Sequence, residues 1–242
     1  MSSEDTGFLI AFRGGVWKLR DRIGNVLSSE ENWRTYLNDT ERTALAGLGS
    51  PRAIQSFLDA IPYSADDFYR CPVRVLRERT AHCFDGALFA AAALRAVGYP
   101  PLLLDLLAVR DDEHMLALYR VDDHWGAVAK SNFAGLRFRE PVHRSLRELV
   151  MSYFEDYFNP EGEKTLRGYT APLNLAQYDH WHWMTRDEHL ELIAQRTDRM
   201  RRFALLPPRL IAGLSPVDAR SYQAGMLGAN AAGLYKAPPH EG

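Results

Sequence analysis

The chain of 242 residues is most easily bounded by what it lacks. It has only two cysteines, Cys71 and Cys83. A disulfide framework is therefore not expected, which suits a reducing compartment. No apolar run reaches the length of a membrane span. The Phe8–Phe12 stretch is too short for the core of a secretory leader and follows acidic residues, so the expected location is cytoplasmic. Charge of one sign is not in excess: 29 Lys and Arg stand against 31 Asp and Glu, a formal net of -2. Neither nucleic acid nor a membrane surface is an expected partner. There is no Gly-rich phosphate loop and no internal repeat. The alternation His180-Trp181-His182-Trp183 has no further His, Cys or carboxylate set to complete a metal site, and reads as aromatic packing. No metal and no cofactor are expected.

Against this background one segment stands out. His82-Cys83-Phe84-Asp85-Gly86 leads into Ala87–Val97, an almost uncharged run closed by Gly98-Tyr99-Pro100-Pro101. Gly just past the end and prolines beyond it are a helix stop. Only Asp85 and Arg95 are charged in this run, so the helix is expected to be buried nearly all round. Cys83 then lies at its N-terminus, where unpaired N–H groups and the positive end of the helix dipole favour a thiolate.

A sheet is expected next. Leu102–Val109 and His114–Val121 have strand length and apolar content. Asp122-Asp123 fits a two-residue turn, and His124–Lys130 reads as a third strand. With that turn, Val121 faces His124 and paired positions sum to 245, which sets His114 opposite Ser131; a turn one residue longer sets it opposite Asn132. A thiol on a helix start, an imidazole opening a strand and a polar group on the next strand make a nucleophile, a base and an orienter: Cys83, His114, and Asn132 or Ser131. His82 is the rival base but is adjacent to the thiol in sequence. Cys71, followed by Pro72, is expected to be structural. Asp105 interrupts an apolar strand and needs a partner, with an Arg as the first expectation. The basic group Lys130, Arg137, Arg139, Arg144 and Arg147 reads as ordinary ion pairing.

This order of residues resembles the transglutaminase-like superfamily of papain-like cysteine enzymes. The residues that carry the resemblance are Cys83–Ala87 with the helix to Gly98-Tyr99-Pro100, then Asp112-Glu113-His114, then Trp125, within residues 50 to 160. It implies an α+β fold whose catalytic helix packs on an antiparallel sheet. One departure stands out: the family's aspartate after the tryptophan is replaced here by Ala129-Lys130-Ser131-Asn132. The papain-like glutamine that stabilises the oxyanion would correspond to Gln55, although the spacing is longer; the Cys83 N–H is the other candidate donor.

The expected organisation is an N-terminal helical layer over 1–50, an enzyme core over 51–206 and, over 207–242, a Gly/Ala/Pro-rich tail without helical periodicity, either partly disordered or draped on the surface. Within it, helices are expected around Val16–Leu27, from Ser28-Ser29-Glu30-Glu31, over Ile54–Leu58, from Ser145 through Tyr157, and over Arg186–Phe203. Two functions follow. The first is attack of the Cys83 thiolate on an amide or acyl carbonyl, with an acyl-thioester passing to water or to an amine. The substrate would be a peptide, a protein or a small amide. The second is an inactive relative that binds a peptide or protein partner through the same groove. A redox-sensing thiol is a distant third. Oligomeric state is not readable from the sequence.

Overall fold

The computed structural model describes residues 36–237 in full and, before them, two strands that pair as an antiparallel hairpin, β1 (Leu9–Arg13) and β2 (Val16–Arg20). The helix expected from Val16 is thus a strand over 16–20. Two short runs around a Gly-Gly pair are a hairpin signal, and here it outweighs the helical spacing. The rest of that expected helix, and the start at Ser28–Glu31, lie outside the described residues.

Among the described residues four helices precede the main sheet. Helix α1 (Asp39–Ala46) opens with a capping box between Asn38 and Glu41. Helix α2 (Pro51–Ala60) has Ser50 as its cap and Pro51 at its first position, where a missing N–H does no harm. Helix α3 (Pro72–Glu78) follows. Helix α4 (Cys83–Ala96) ends as the sequence indicates, with Gly98 at a φ of 101°. It is buried on every side: Leu88, Phe89 and Leu94 are 0 % exposed. It lies between α2 and α3 and the sheet strand β4 (His114–Val121). Phe57 stacks on Phe89 at 4.7 Å; truncating Phe89 to Ala would cost about 3–5 kcal/mol.

The fold is α+β. Strands β3 (Leu102–Ala108), β4 and β5 (His124–Val128) form the expected meander. Val121 pairs with His124 and Ala117 with Val128, the register expected, and Asp122 and Asp123 both have positive φ as a type I′ turn demands. Pairing of β4 with β5 stops at Val128, before Ser131 or Asn132 can oppose His114. Strands β6 (Arg139–His143), β7 (Leu166–Thr170), β8 (Leu173–Asn174) and β9 (Arg202–Ala204) extend the sheet to the order β6-β5-β4-β3-β7-β9, with β8 also on β3, antiparallel throughout. The alternating side chains divide the core: Leu103, Met115, Ala117 and Tyr119 pack towards α4, and Leu104, Leu106, Leu116 and Leu118 pack on the other face with Tyr153 and Tyr157.

Later elements are shorter than expected. Helix α5 covers Leu146–Met151, capped by Ser145, and a separate 3-10 turn covers Phe154–Asp156. Helix α6 covers Leu190–Asp198, and the chain then turns into β9 because Phe203 stacks on Tyr169 at the sheet edge. The tail holds helices α7 (Pro208–Ile211) and α8 (Ala219–Gly225), whose cap Asp218 accepts from the Arg220 and Ser221 N–H groups. That side-chain cap can begin a helix without an apolar stripe, which is why periodicity did not reveal it.

Candidate active site

Cys83 is the first residue of α4. The helix cap is His82, whose Nδ1 accepts the Phe84 N–H at 3.2 Å. The other side of its ring faces the wholly buried Asp85 at 3.4 Å. Burial and the nearby Arg70 guanidinium push the His82 pKa down to about 4. His82 is therefore engaged in capping and holding the first turn. Burial pushes Asp85 up to about 7, opposed by the Arg70 N–H at 2.7 Å and the Arg70 guanidinium. At the same turn a Cβ on Gly86 would stand 2.2 Å from the Lys130 Cβ. Glycine there lets the helix start approach the end of β5 closely.

The Cys83 sulfur lies alongside the opening of β4. The thiol faces the Glu113 carbonyl at 3.9 Å, and the Met115 N–H also favours its anion. These two backbone groups flank His114 in the chain. The His114 ring is 5 % exposed, and its Nε2 meets the Leu136 carbonyl at 2.8 Å. Since a carbonyl only accepts, Nε2 carries the proton and Nδ1 the lone pair. Burial pushes the His114 pKa down to about 4, and burial likewise pushes the Cys83 thiol up to about 12 although the residue keeps some surface. At neutral pH both groups are uncharged. The thiolate expected from the helix dipole is outweighed by desolvation.

The group that fixes the ring is thus a main-chain carbonyl, not Asn132 or Ser131. Ser131 accepts the Phe133 N–H at 3.0 Å and shapes a turn. Asn132 grips the tail: its Oδ1 accepts the Asn230 N–H at 2.7 Å, and its Nδ2 donates to the Asn230 and Gly233 carbonyls at 2.9 and 3.0 Å. Gln55 is also occupied elsewhere. Wholly buried, it clamps both backbone groups of Ala129 at 2.9 and 3.0 Å and reaches Asp59 at 2.9 Å. It holds α2 to the end of β5 and has no amide proton left for an oxyanion. Asp105 has no Arg in ion-pair contact; its carboxyl faces Glu113, and burial with that negative neighbour raises its pKa.

Tyr63 was not foreseen. Its hydroxyl lies against both the thiol and the backbone N–H of Cys83, and burial raises its pKa. The tail packs on this tyrosine: Asn230 Nδ2 donates to the Tyr63 carbonyl at 3.0 Å, and a Cβ on Gly233 would stand 2.9 Å from the ring. Beyond it Tyr235 comes within electrostatic reach of Arg110, two residues before Asp112. The tail therefore runs as a strap beside the thiol. A cleft of about 350 Å³ opens where the tail meets Tyr63, lined by Asp59, Tyr63, Ser131, Asn132, Arg137 and Leu227 among others, and neither Cys83 nor His114 lines it.

No protein-family model matches the chain, and no curated protein matches it. Among solved structures, Legionella pneumophila LapG superposes with a TM-score of 0.31 at 19 % identity, covering 41 % of this chain and 69 % of that one. An EGTA-treated form of LapG gives 0.31 at 20 % identity, with 42 % and 67 % covered.

The remaining groups named from the sequence are structural. Cys71, 3 % exposed, caps α3, with its N–H on Asp187 at 2.8 Å. In the basic group, Arg137 pairs with Asp59, Arg139 with Asp156, and Lys130 Nζ donates to the Leu58 and Ile61 carbonyls. The His-Trp run packs as aromatics: Trp183 is wholly buried, and Trp181 stacks on Tyr178 at 4.9 Å. Among the described residues no helix is long and apolar enough to cross a membrane.

Proposed function

We propose that this protein is a cysteine-nucleophile enzyme of the transglutaminase-like kind, cleaving or transferring an acyl group from an amide of a peptide, a protein or a small molecule. The observation that carries the reading is the Cys83 sulfur, at the start of α4, lying 3.9 Å from the carbonyl of Glu113, the residue before His114, while Leu136 holds Nε2 of the His114 ring. With Nε2–H donated to Leu136, Nδ1 is the basic atom. The pair starts as thiol and neutral imidazole, so proton transfer accompanies attack. The thiol proton passes to His114 Nδ1 as sulfur bonds to the carbonyl carbon. The same proton then goes to the leaving nitrogen, and an acyl-thioester remains. Water, deprotonated by His114, releases the acid; an amine in its place gives transfer. The Cys83 N–H, one of the donors a helix start leaves without an intrahelical partner, stabilises the oxyanion once Tyr63 yields it.

The test is mass spectrometry of the protein incubated with activated acyl donors and a peptide-amide library. An acyl adduct confined to Cys83, with turnover lost in Cys83→Ala and reduced about 10²–10⁴-fold in His114→Ala, is expected. Turnover unchanged in Cys83→Ala would overturn the reading. A second reading, a binding protein without chemistry, is favoured by the absence of the family's aspartate on the third strand and by the neutral resting pair. It requires that no acyl donor labels Cys83 and that a bound peptide is retained by Cys83→Ala.

A further inference from the structure

Three carboxylates from separate parts of the chain meet on the α4 side of the sheet. Asp105 lies in the middle of β3, Glu113 directly precedes β4, and Asp198 closes α6. One oxygen of each lies within 4.8 Å of the others. That spacing has a physical meaning: oxygens bound to one ion at about 2.4 Å can be no more than about 4.8 Å apart.

The cluster does not have the character of a solvated acidic patch. Asp105 is 2 % exposed, and its Oδ1 is buried with no hydrogen-bond partner. An orphaned carboxylate oxygen in such a place carries a penalty of several kcal/mol that a proton or a cation must offset. Among the described residues no Lys, Arg or His forms an ion pair with any of the three. The Arg202 guanidinium lies within electrostatic reach of Asp105, but its hydrogen bond, at 3.1 Å, goes to the backbone carbonyl of Asp198 and not to a carboxylate. Asp198 also stands at the C-terminal end of α6, where the helix dipole favours positive charge. Glu113 and Asp198 are on the surface, so an ion has an approach from solvent.

We infer that Asp105, Glu113 and Asp198 form a binding site for one hard divalent cation such as Mn²⁺, Mg²⁺ or Ca²⁺. Three carboxylates and no nitrogen or sulfur select oxygen-preferring ions over Zn²⁺ or Cu²⁺. The two exposed ligands leave room for water to complete the shell. Such an ion would tie β3 and the end of α6 to the residue before His114. The backbone carbonyl of that same residue faces Cys83. The site stands independently of acyl chemistry: an inactive protein would bind the ion equally well.

The test uses Mn²⁺ alone, followed by the loss of its free-ion paramagnetic resonance signal on titration with the full-length protein. One ion per chain is expected, with a dissociation constant in the range of about 10⁻⁵–10⁻³ M, displaced by Mg²⁺ or Ca²⁺. Glu113→Gln and Asp198→Asn should each weaken it at least about tenfold, and Glu140→Gln, far along the sheet edge, should not. Asp105→Asn is the most direct variant but alters a buried position, so the two surface variants carry the decision. No saturable Mn²⁺ binding, or equal binding in both surface variants, would overturn the inference. The trio would then be joined by a shared proton, and Asp105→Asn would leave folding stability unchanged or raise it.

Discussion

The two cysteines begin neighbouring helices, yet they sit in different chemistry. Cys71 caps α3 and Cys83 opens α4, and burial pushes both thiols up to about 12. Being at a helix start therefore does not activate either one, because desolvation of a thiolate outweighs the charge of one helix end. What separates them is the neighbourhood. Cys71 is sealed under Asp187, with its negative charge disfavouring a thiolate. Cys83 keeps some surface, and the tyrosine beside it is held by a tail that is not part of its own helix or sheet. Its sulfur also lies beside the carbonyl of Glu113, the residue before His114, whose ring Leu136 fixes in one tautomer.

The largest expected contrast is in turnover. Cys83→Ala should lower it by about 10³-fold or more, while Cys71→Ala should leave it within a factor of a few, measured on any donor that acylates Cys83. Equal losses would erase the distinction. Next comes His114→Ala against His82→Ala. The first removes the proposed base and should reduce the rate about 10²–10⁴-fold. The second removes a helix cap and should destabilise the fold by about 1 kcal/mol, read as a lower denaturation midpoint.

A pH titration of stability isolates the imidazole. His114 has its pKa lowered from 6.5 to about 4 in the folded protein, so the unfolded chain binds the proton first. Its stability contribution is complete above pH 6.5 and is lost as pH falls towards 4. Between pH 7 and 4.5 that loss is on the order of 2–3 kcal/mol. His114→Gln, which keeps a donor for Leu136, should show a correspondingly smaller loss. An identical decline in both proteins would mean that His114 is not held neutral.

The smallest effect concerns the strap. Asn230→Ala removes the side-chain bond to the Tyr63 carbonyl while its backbone bonds to Asn132 remain, and should raise iodoacetamide labelling of Cys83 several-fold while Cys71 labelling stays unchanged. Unchanged labelling of Cys83 would show that the tail does not limit access to it.

Much of this was legible locally. The cap-to-glycine limits of α4, the Asp122-Asp123 turn and the 245 register follow from interactions between residues a few positions apart, which sequence pattern records. So do the places of Cys83 at a helix start and of His114 at a strand opening. Tertiary structure alone decided the partners. Leu136 became the orienter through its carbonyl, a group every residue carries and no side-chain motif can mark. Gln55 and Asn132 were drawn off by Ala129 and by a tail 98 residues away. Asp105, Glu113 and Asp198 converge only because β3, the start of β4 and the end of α6 pack together. Composition and spacing determined which groups the chain offers; long-range packing determined which atoms face each other, because hydrogen-bond and charge energies depend on distance in space and not along the chain.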